Sequence, residues 1–180
     1  MDRKSLPVFL ALGLAVIILL AAGMTPKNNE VFRIHIRADS DLPAAQAVKY
    51  KVKDAVVNFL TPVLADCADK AEAMAAVREL LPEIEKEADA VLKAEGCAYR
   101  CRAAVRQEEF PARDYNGVTF EAGVYDALIL ELGSASGANW WCVVYPPMCF
   151  LNGSDNGTEM IRYRSILAEL VEKFLAEYGG

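Results

Sequence analysis

The sequence predicts a single α+β domain in which an N-terminal strand and helices precede a mainly antiparallel sheet and a C-terminal helix. The chain has 180 residues, of which 54% are hydrophobic and 24% are charged, a composition typical of one globular domain. Apolar residues recur at helical spacing between residues 43 and 95, and the pattern changes to strand-like alternation after Gly96. Helices that are followed by a run of strands are typical of α+β proteins.

Residues 1–23 have the pattern of an export signal. Basic residues at positions 3 and 4 precede an uncharged run over residues 6–23. As a helix, this run would be roughly 27 Å long at about 1.5 Å per residue, close to the hydrocarbon thickness of about 30 Å. The small residues at 21–23 favour cleavage near Met24. Two outcomes stay open, a cleaved signal peptide or an N-terminal membrane anchor, and any membrane contact would run through residues 6–23.

The folded domain is expected over residues 31–151, after a polar linker at 24–30, and it begins with a strand at 31–37. The apolar residues Phe32, Ile34 and Ile36 alternate there with the polar residues Arg33, His35 and Arg37. The strand should therefore have one apolar and one polar face.

Two helical regions are expected between this strand and Gly96. Asp39, Ser40 and Asp41 are residue types that cap helices, Pro43 suits a first helical turn, and Thr61-Pro62 is expected to end the first helix. Its lysines at positions 49, 51 and 53 could form a basic patch with Arg33 and Arg37, but a solvated helix face is favoured. In the second region, residues 69–95, Pro82 either kinks the helix or begins another one.

The sheet is expected between residues 98 and 150. Residues 99–109 alternate, Tyr115-Asn116-Gly117 predicts a turn, and residues 125–132 predict a central strand. The stretch 133–137 is interpreted as a flexible connector to the last strand, at 140–145. Trp140 and Trp141 should point to opposite faces of that strand, and Pro146 and Pro147 should end it.

The last segment consists of a polar linker at 152–158 and an amphipathic helix at 159–180. The helix could pack against the sheet or dock on a partner, and core packing is favoured. Its apolar stripe contains five residues, namely Tyr163, Leu167, Leu170, Phe174 and Tyr178.

Few residues suit catalysis or metal binding. His35 is the only histidine, and alternation places it between two arginines, whose charges disfavour a protonated imidazole. A hydrolase would need Asp39 or Ser40 beside His35. The cysteine spacings are not those of zinc knuckles, so no metal or other cofactor is expected. The net charge of −6 argues against nucleic acid as a partner.

The five cysteines suggest disulfide bonds if the protein is exported. Cys142 and Cys149 flank the Pro146-Pro147 corner, and we expect them to form a disulfide. Cys97 and Cys101 would lie about 13 Å apart in one strand, at about 3.3 Å per residue, too far apart to be bridged. They are interpreted as small apolar residues.

Three stretches resemble the stage II sporulation protein R family of endospore-forming bacteria. They are residues 33–41, residues 46–56 and the segment Asn139–Phe150, whose pattern Asn-Trp-Trp-Cys-Val-x-x-Pro-Pro-x-Cys-Phe is long and specific. The resemblance covers roughly residues 30–150. Asp39 stands where the family pattern has Asn, and Lys53 stands where it has Arg.

The resemblance implies a secreted signalling protein without enzymatic activity. Such a protein would be made in the forespore, cross the forespore inner membrane into the intermembrane space, and activate a membrane-embedded aspartic protease that processes pro-sigma-E in the mother cell. The candidate partner-binding residues lie in two corners of the chain, Arg33, His35, Arg37, Asp39 and Ser40 in one, and Trp140, Trp141, Pro146 and Pro147 in the other. The alternative is an exported, cell-wall-directed hydrolase that uses His35.

Overall fold

The computed structural model describes residues 30–115, 118–150 and 158–178. The elements in chain order are β1 (Phe32–Arg37), α1 (Pro43–Ala65), α2 (Lys70–Glu79), α3 (Leu81–Ala94), β2 (Cys101–Phe110), β3 (Arg113–Tyr115), β4 (Val118–Phe120), β5 (Gly123–Leu132), β6 (Asn139–Tyr145), a 3₁₀ turn (Met148–Phe150) and α4 (Thr158–Tyr178). This order confirms the predicted α+β class.

Several sequence-based expectations fall outside the described residues. They are the export signal at 1–23, the linkers except for residues 30 and 158, the turn residues 116–117 and the side chains at 163 and 178. Within the described part of the chain, no helix is both long enough and apolar enough to span a bilayer.

The main sheet has four strands in the order β2-β5-β1-β6, and β3 and β4 form a separate hairpin. The pairings β2–β5 and β1–β6 are antiparallel, whereas β1 and β5 are parallel. The sheet is therefore mainly antiparallel, as expected, but β1 lies between β5 and β6. A parallel pair requires a long crossover connection, and the segment from α1 to β4 supplies it.

Helices α1, α2 and α3 cover one face of this sheet. Phe32, Ile34 and Ile36 of β1 are fully buried there, together with apolar residues of α1, α3 and β5. Full burial of a side chain of this size contributes roughly 1.5–3 kcal/mol. The apolar half of the alternating pattern in β1 therefore forms the centre of the larger core.

The end of α1 differs from the expectation that Thr61-Pro62 closes the helix. Pro62 lies inside α1, which continues to Ala65. Proline removes one backbone hydrogen bond, but Leu60 and Leu64 on either side of it are fully buried. Burial of these two leucines offsets the lost bond, so tertiary packing overrides the local signal.

Pro82 begins a new helix and does not kink a longer one, which is the second of the two alternatives expected from the sequence. α2 ends at Glu79, and Pro82 occupies the first turn of α3, where its missing N–H has no helical partner to lose. The Asp69 side chain caps α2 by accepting a hydrogen bond from the Glu72 amide at 2.9 Å. Gly96, with φ of +73°, follows α3 as a glycine commonly does after a helix.

A second apolar cluster lies on the opposite face of the sheet, beneath the β3–β4 hairpin. It includes Phe110, Phe120 and Tyr125. Helix α4 begins one residue earlier than expected, and it contributes Leu167 to the larger core and Val171 to this second cluster. Both residues are buried. The C-terminal helix therefore packs against the core, which is the favoured one of the two alternatives.

Candidate functional site

The polar side chains of β1 lie on the sheet face opposite the helices, as the alternation predicts. Arg33 is 0% exposed and His35 is 4% exposed, whereas the Arg37 side chain is 28% exposed. Buried charged groups are costly unless they are paired, so the partners of these three residues determine what the face does.

Arg33 is enclosed by aromatic rings. Its guanidinium carbon lies 4.4 Å from the centre of the Phe110 ring and 4.9 Å from that of Tyr125. Nη2 donates to Tyr115 Oη at 3.2 Å, and the Tyr115 hydroxyl donates in turn to the Trp141 carbonyl at 3.2 Å. Nε and Nη1 have no hydrogen-bond partner among the described residues. Cation–π attraction therefore offsets only part of the desolvation cost.

His35 is held by Glu108. A carboxylate can only accept a hydrogen bond, so His35 Nδ1 donates to Glu108 Oε1. The imidazole also stacks on Trp141, with 5.3 Å between the ring centres. Its Nε2 is buried and has no partner among the described residues. His35 is thus fixed by a carboxylate on one side and an indole on the other.

Glu108 is a site residue that the sequence analysis missed. It lies in β2, where the even-numbered residues Arg102 and Arg106 also point away from the helices. The same alternation that placed these arginines on one side of β2 also places Glu108 there. The pairing of Glu108 with His35 depends on β5 lying between β2 and β1, which the sequence does not specify.

Arginines and glutamates form a network across three strands. Arg37 bridges Glu108 at 2.8 Å and Glu131 at 3.1 Å, and Arg106 reaches Glu131 at 2.8 Å. Burial acts to raise the pKa of Glu108, but the hydrogen bond and charge of His35, together with Arg37, hold that pKa below its ordinary value. The hydrogen bond from Arg106 is the largest influence that lowers the pKa of Glu131.

The Asp39–Asp41 corner anchors a loop and does not cap α1. The residue that precedes α1 is Leu42, and no side chain caps the helix. Asp39 Oδ1 instead accepts from the Ser134 amide at 2.8 Å, and Asp41 Oδ1 accepts from the Ala138 amide at 2.6 Å. The expectation of capping was wrong because the free amides of the neighbouring loop satisfy both carboxylates.

The loop at 133–137 is accordingly not a flexible connector. A side chain at Gly133, whose φ is +58°, would collide with the Asp39 carboxylate, and one at Gly137 would collide with the Ser40 backbone. The two glycines thus permit close approach to the Asp39–Asp41 corner. Asp39 and Ser40 contact this loop and are not brought to His35 by any described hydrogen bond.

The expectation that the α1 lysines lie on a solvated face is wrong for Lys49, which is 1% exposed. Its Nζ donates to Gln46 Oε1 at 2.7 Å and to the Ala138 carbonyl at 3.0 Å. Burial lowers the Lys49 pKa, and the Asp41 charge opposes this shift. The half-buried Lys53 pairs with Asp54 at 2.5 Å. These lysines lie on the helical side of the sheet, so they form no common basic patch with the arginines of β1.

Trp140 and Trp141 point to opposite faces of β6, as predicted. Trp140 packs against the helix-side core, and Lys53 Nζ lies 5.9 Å from its ring centre. Trp141 lies on the arginine-bearing face, where the guanidinium of the exposed Arg113 is 4.9 Å from its ring centre. Each indole is partly exposed, so each presents an apolar edge to solvent.

The strand ends at Tyr145, as the two prolines predict, and the Tyr145–Pro146 bond is cis. Pro147 then leads into the 3₁₀ turn that carries Cys149. Cys142 and Cys149 have free thiols. Cys149 Sγ donates to the Val143 carbonyl at 2.9 Å, and its pKa is raised by burial and by a hydrogen bond with Cys142. The two thiols are therefore adjacent, and the disulfide stays a prediction for the oxidised protein.

A cleft of about 350 Å³ lies beside this corner. It is lined by Lys53, Asp114, Tyr115, Trp140, Cys142, Met148 and Cys149. Among the described residues, no group of three or more His, Cys, Asp or Glu side chains is arranged to hold a metal ion. Cys101 is buried elsewhere, and burial raises its pKa to about 12, so its thiol stays protonated at neutral pH.

The described residues thus define an α+β domain whose most distinctive surface is a charged sheet face around a histidine and a tryptophan. The family model for stage II sporulation protein R matches residues 28–155. The chain belongs to this family, and the membership supports a role in sporulation.

A curated relative supports the same assignment. The chain is 35% identical to the stage II sporulation protein R of Bacillus subtilis (strain 168) over 127 residues, which are 71% of this chain and 57% of the relative. This chain thus matches little more than half the length of that relative. No solved structure is significantly similar to the chain.

Proposed function

We propose that this protein is an exported, non-enzymatic signal of endospore formation. It binds the exposed part of a membrane-embedded aspartic protease and activates it, and the protease then processes pro-sigma-E in the mother cell. The proposal combines the family membership with the pattern of an export signal at residues 1–23. Export across the forespore inner membrane brings the folded domain to the side where such a partner is exposed.

One structural observation favours a binding role over hydrolysis, namely that the candidate catalytic residues contact different partners. His35 is 4% exposed and is held by Glu108. Asp39 and Ser40 instead contact the loop at 133–138. A general base must reach the group whose proton it removes. The described hydrogen bonds do not bring His35 to Ser40, which is the hydroxyl nucleophile that the hydrolase hypothesis invokes.

A signal of this kind acts through its differential affinity for two states of the protease. To move a protease from about 1% to about 99% active, the signal must bind the active state about 10⁴-fold more tightly, which corresponds to about 5.5 kcal/mol. A partner interface with a few well-placed aromatic and arginine side chains can supply a difference of this size.

Reconstitution in a non-sporulating bacterial host tests the proposal. The full chain, the candidate protease and pro-sigma-E are expressed together, and the size of the sigma factor is followed on immunoblots. We expect shortened sigma factor only when all three proteins are present. Processing that proceeds equally well without this chain would contradict the signalling role.

His35→Gln separates the signalling and hydrolase hypotheses. The glutamine amide can still donate to Glu108, but it is not a general base. We therefore expect the variant to support processing and to retain the wild-type melting temperature. Two results together would instead favour the hydrolase. The variant would melt normally but fail to support processing, and the wild type, but not the variant, would hydrolyse cell wall.

A further inference from the structure

We propose that the arginine-bearing part of the sheet face opposite α1, α2 and α3 is the docking surface for an acidic, extended segment of the protein partner. We call this surface the arginine face, defined by Arg37, Arg102, Arg106 and Arg113 around Trp141. The inference rests on the proposed function, since it names the surface that contacts the protease. It also makes a separate claim about the chemistry of the partner.

The arginine face is positively charged on an acidic protein. Its four arginines and two glutamates, Glu108 and Glu131, leave a local charge of +2, whereas the whole chain carries −6. The buried Arg33 adds a further positive charge beneath the surface. A local field of opposite sign to the whole protein selects and orients an acidic partner.

The arginines of this face are unequally neutralised. Arg37 and Arg106 each contact both glutamates at 3.4 Å or less. Arg102 is 74% exposed, and its contact with Glu131 is 3.7 Å long. Arg113 is exposed, and no ion pair of Arg113 occurs in the described part of the chain. Arg102 and Arg113 therefore have guanidinium donors available for carboxylates of a partner.

These two arginines lie near opposite edges of the same sheet face. Arg102 is on β2, whereas Arg113 contacts Trp141 on β6, which is three strands away. At about 4.8 Å between strands, the separation is roughly 14 Å across the sheet. An extended segment of about five residues, at about 3.3 Å each, spans this distance.

Trp141 gives the surface an apolar anchor at the β6 end, beside Arg113. It is stacked on His35, and its backbone carbonyl accepts a hydrogen bond from Tyr115, so the residue is held in one orientation. Rigid tryptophan and arginine side chains are the residue types that contribute most to protein interfaces. Guanidinium groups also match carboxylates by forming paired hydrogen bonds.

The interleaved glutamates favour a protein partner over a lipid surface or nucleic acid. A dense array of phosphates would meet Glu108 and Glu131 as well as the arginines, whereas carboxylates spaced along a peptide can contact Arg102 and Arg113 and avoid the glutamates. The expected partner segment therefore has acidic residues near both ends and an apolar residue next to the acidic residue that contacts Arg113.

The test compares two double variants of the full chain. Arg102→Glu/Arg113→Glu reverses the two exposed arginines, and Lys86→Glu/Lys93→Glu makes the same change of total charge on exposed residues of α3, behind the sheet. Each tagged chain is expressed with the candidate protease, and the protease recovered with the chain from detergent extracts is measured. The arginine variant should recover at least about tenfold less protease, because reversed charges repel an acidic segment. The lysine variant should match the wild type.

Salt provides a second readout. Recovery with the wild type should fall between about 0.05 M and about 0.5 M salt, because screening weakens contacts between exposed charges. The same change of salt should affect the Arg102→Glu/Arg113→Glu variant less. Melting curves of both double variants establish that they are folded.

The possible failures are distinguishable. If the wild type recovers protease and supports processing, and the arginine variant does so equally well, the docking surface is wrong but the signalling role stands. If the wild type supports no processing, the proposed function fails. If the wild type floats with phosphatidylglycerol vesicles that contain no protein and the arginine variant does not, the face recognises lipid and the docking proposal is overturned.

Discussion

The two faces of β1 are buried by different kinds of contact. On one face, Phe32, Ile34 and Ile36 are fully buried against the helices, and any apolar neighbour of suitable shape can cover them. On the other face, the burial of Arg33 and His35 requires specific partners. His35 has Glu108, whereas Arg33 has aromatic rings and one hydroxyl.

This difference separates stability from specificity within a single strand. The apolar face contributes to the free energy of folding, whereas the polar face carries nitrogen atoms without hydrogen-bond partners in the described part of the chain. Such groups cost free energy. The following substitutions test this contrast between the two faces.

The largest effect is expected on the apolar face. Ile34→Ala should lower the free energy of unfolding by about 2–5 kcal/mol, because it removes a fully buried side chain and leaves a cavity. Val124→Ala, at a position that is 55% exposed, is the control and should change stability by less than about 0.5 kcal/mol. Urea denaturation measures both, and similar losses in the two variants would contradict the assignment of this face as the core.

The next effect concerns the thiol pair at the end of β6. Oxidation of Cys142 and Cys149 closes a loop of eight residues, for which chain entropy gives roughly 2.5 kcal/mol of stabilisation. Mass spectrometry of unreduced peptides should find the bond in the exported protein, and reduction should lower the melting temperature. Two free thiols after oxidative export would show that the pair is only a packing contact.

On the polar face, Glu108→Gln should cost about 1–3 kcal/mol at neutral pH, because it removes a charged hydrogen-bond partner of His35 and Arg37. The pKa of Glu108 lies below its ordinary value of 4.5. Its stabilising contribution is therefore complete above about pH 4.5 and is lost as the pH falls through the lowered pKa.

Glu108→Gln should consequently lose less stability than the wild type when the pH falls from neutral to values below the lowered pKa of Glu108. Glu109→Gln, an exposed position on the same strand, is the matched control and should keep the acid dependence of the wild type. Urea midpoints across the pH series measure the effect. Identical acid dependence in wild type and Glu108→Gln would show that the pairing with His35 does not stabilise the fold.

The smallest effect is expected for Arg33→Met. Replacing a buried charged group by an apolar side chain of similar length is often neutral or stabilising, and Arg33 has no carboxylate partner among the described residues. We expect a change in the free energy of unfolding within about 1 kcal/mol of zero, or a gain. A loss of several kcal/mol would mean that the aromatic enclosure stabilises the guanidinium more than its desolvation costs.

The sequence by itself determined the local features of this protein. Alternation in β1 assigned each side chain to the correct face, and alternation in β6 assigned Trp140 and Trp141 to opposite faces. The change of period near Gly96 separated helices from strands. These features depend on backbone periodicity, which neighbouring residues impose on one another. The family was also identifiable, because the Asn139–Phe150 pattern is contiguous in the chain.

Only the tertiary structure decided which distant groups meet. Glu108 reaches His35 because β5 and β1 pair in parallel, Lys49 is buried because the loop at 133–138 lies against α1, and Pro62 stays in a helix because its neighbours are in the core. Each of these outcomes depends on contacts between segments far apart in sequence. Their free energy arises only when the chain is folded, so no local pattern encodes them.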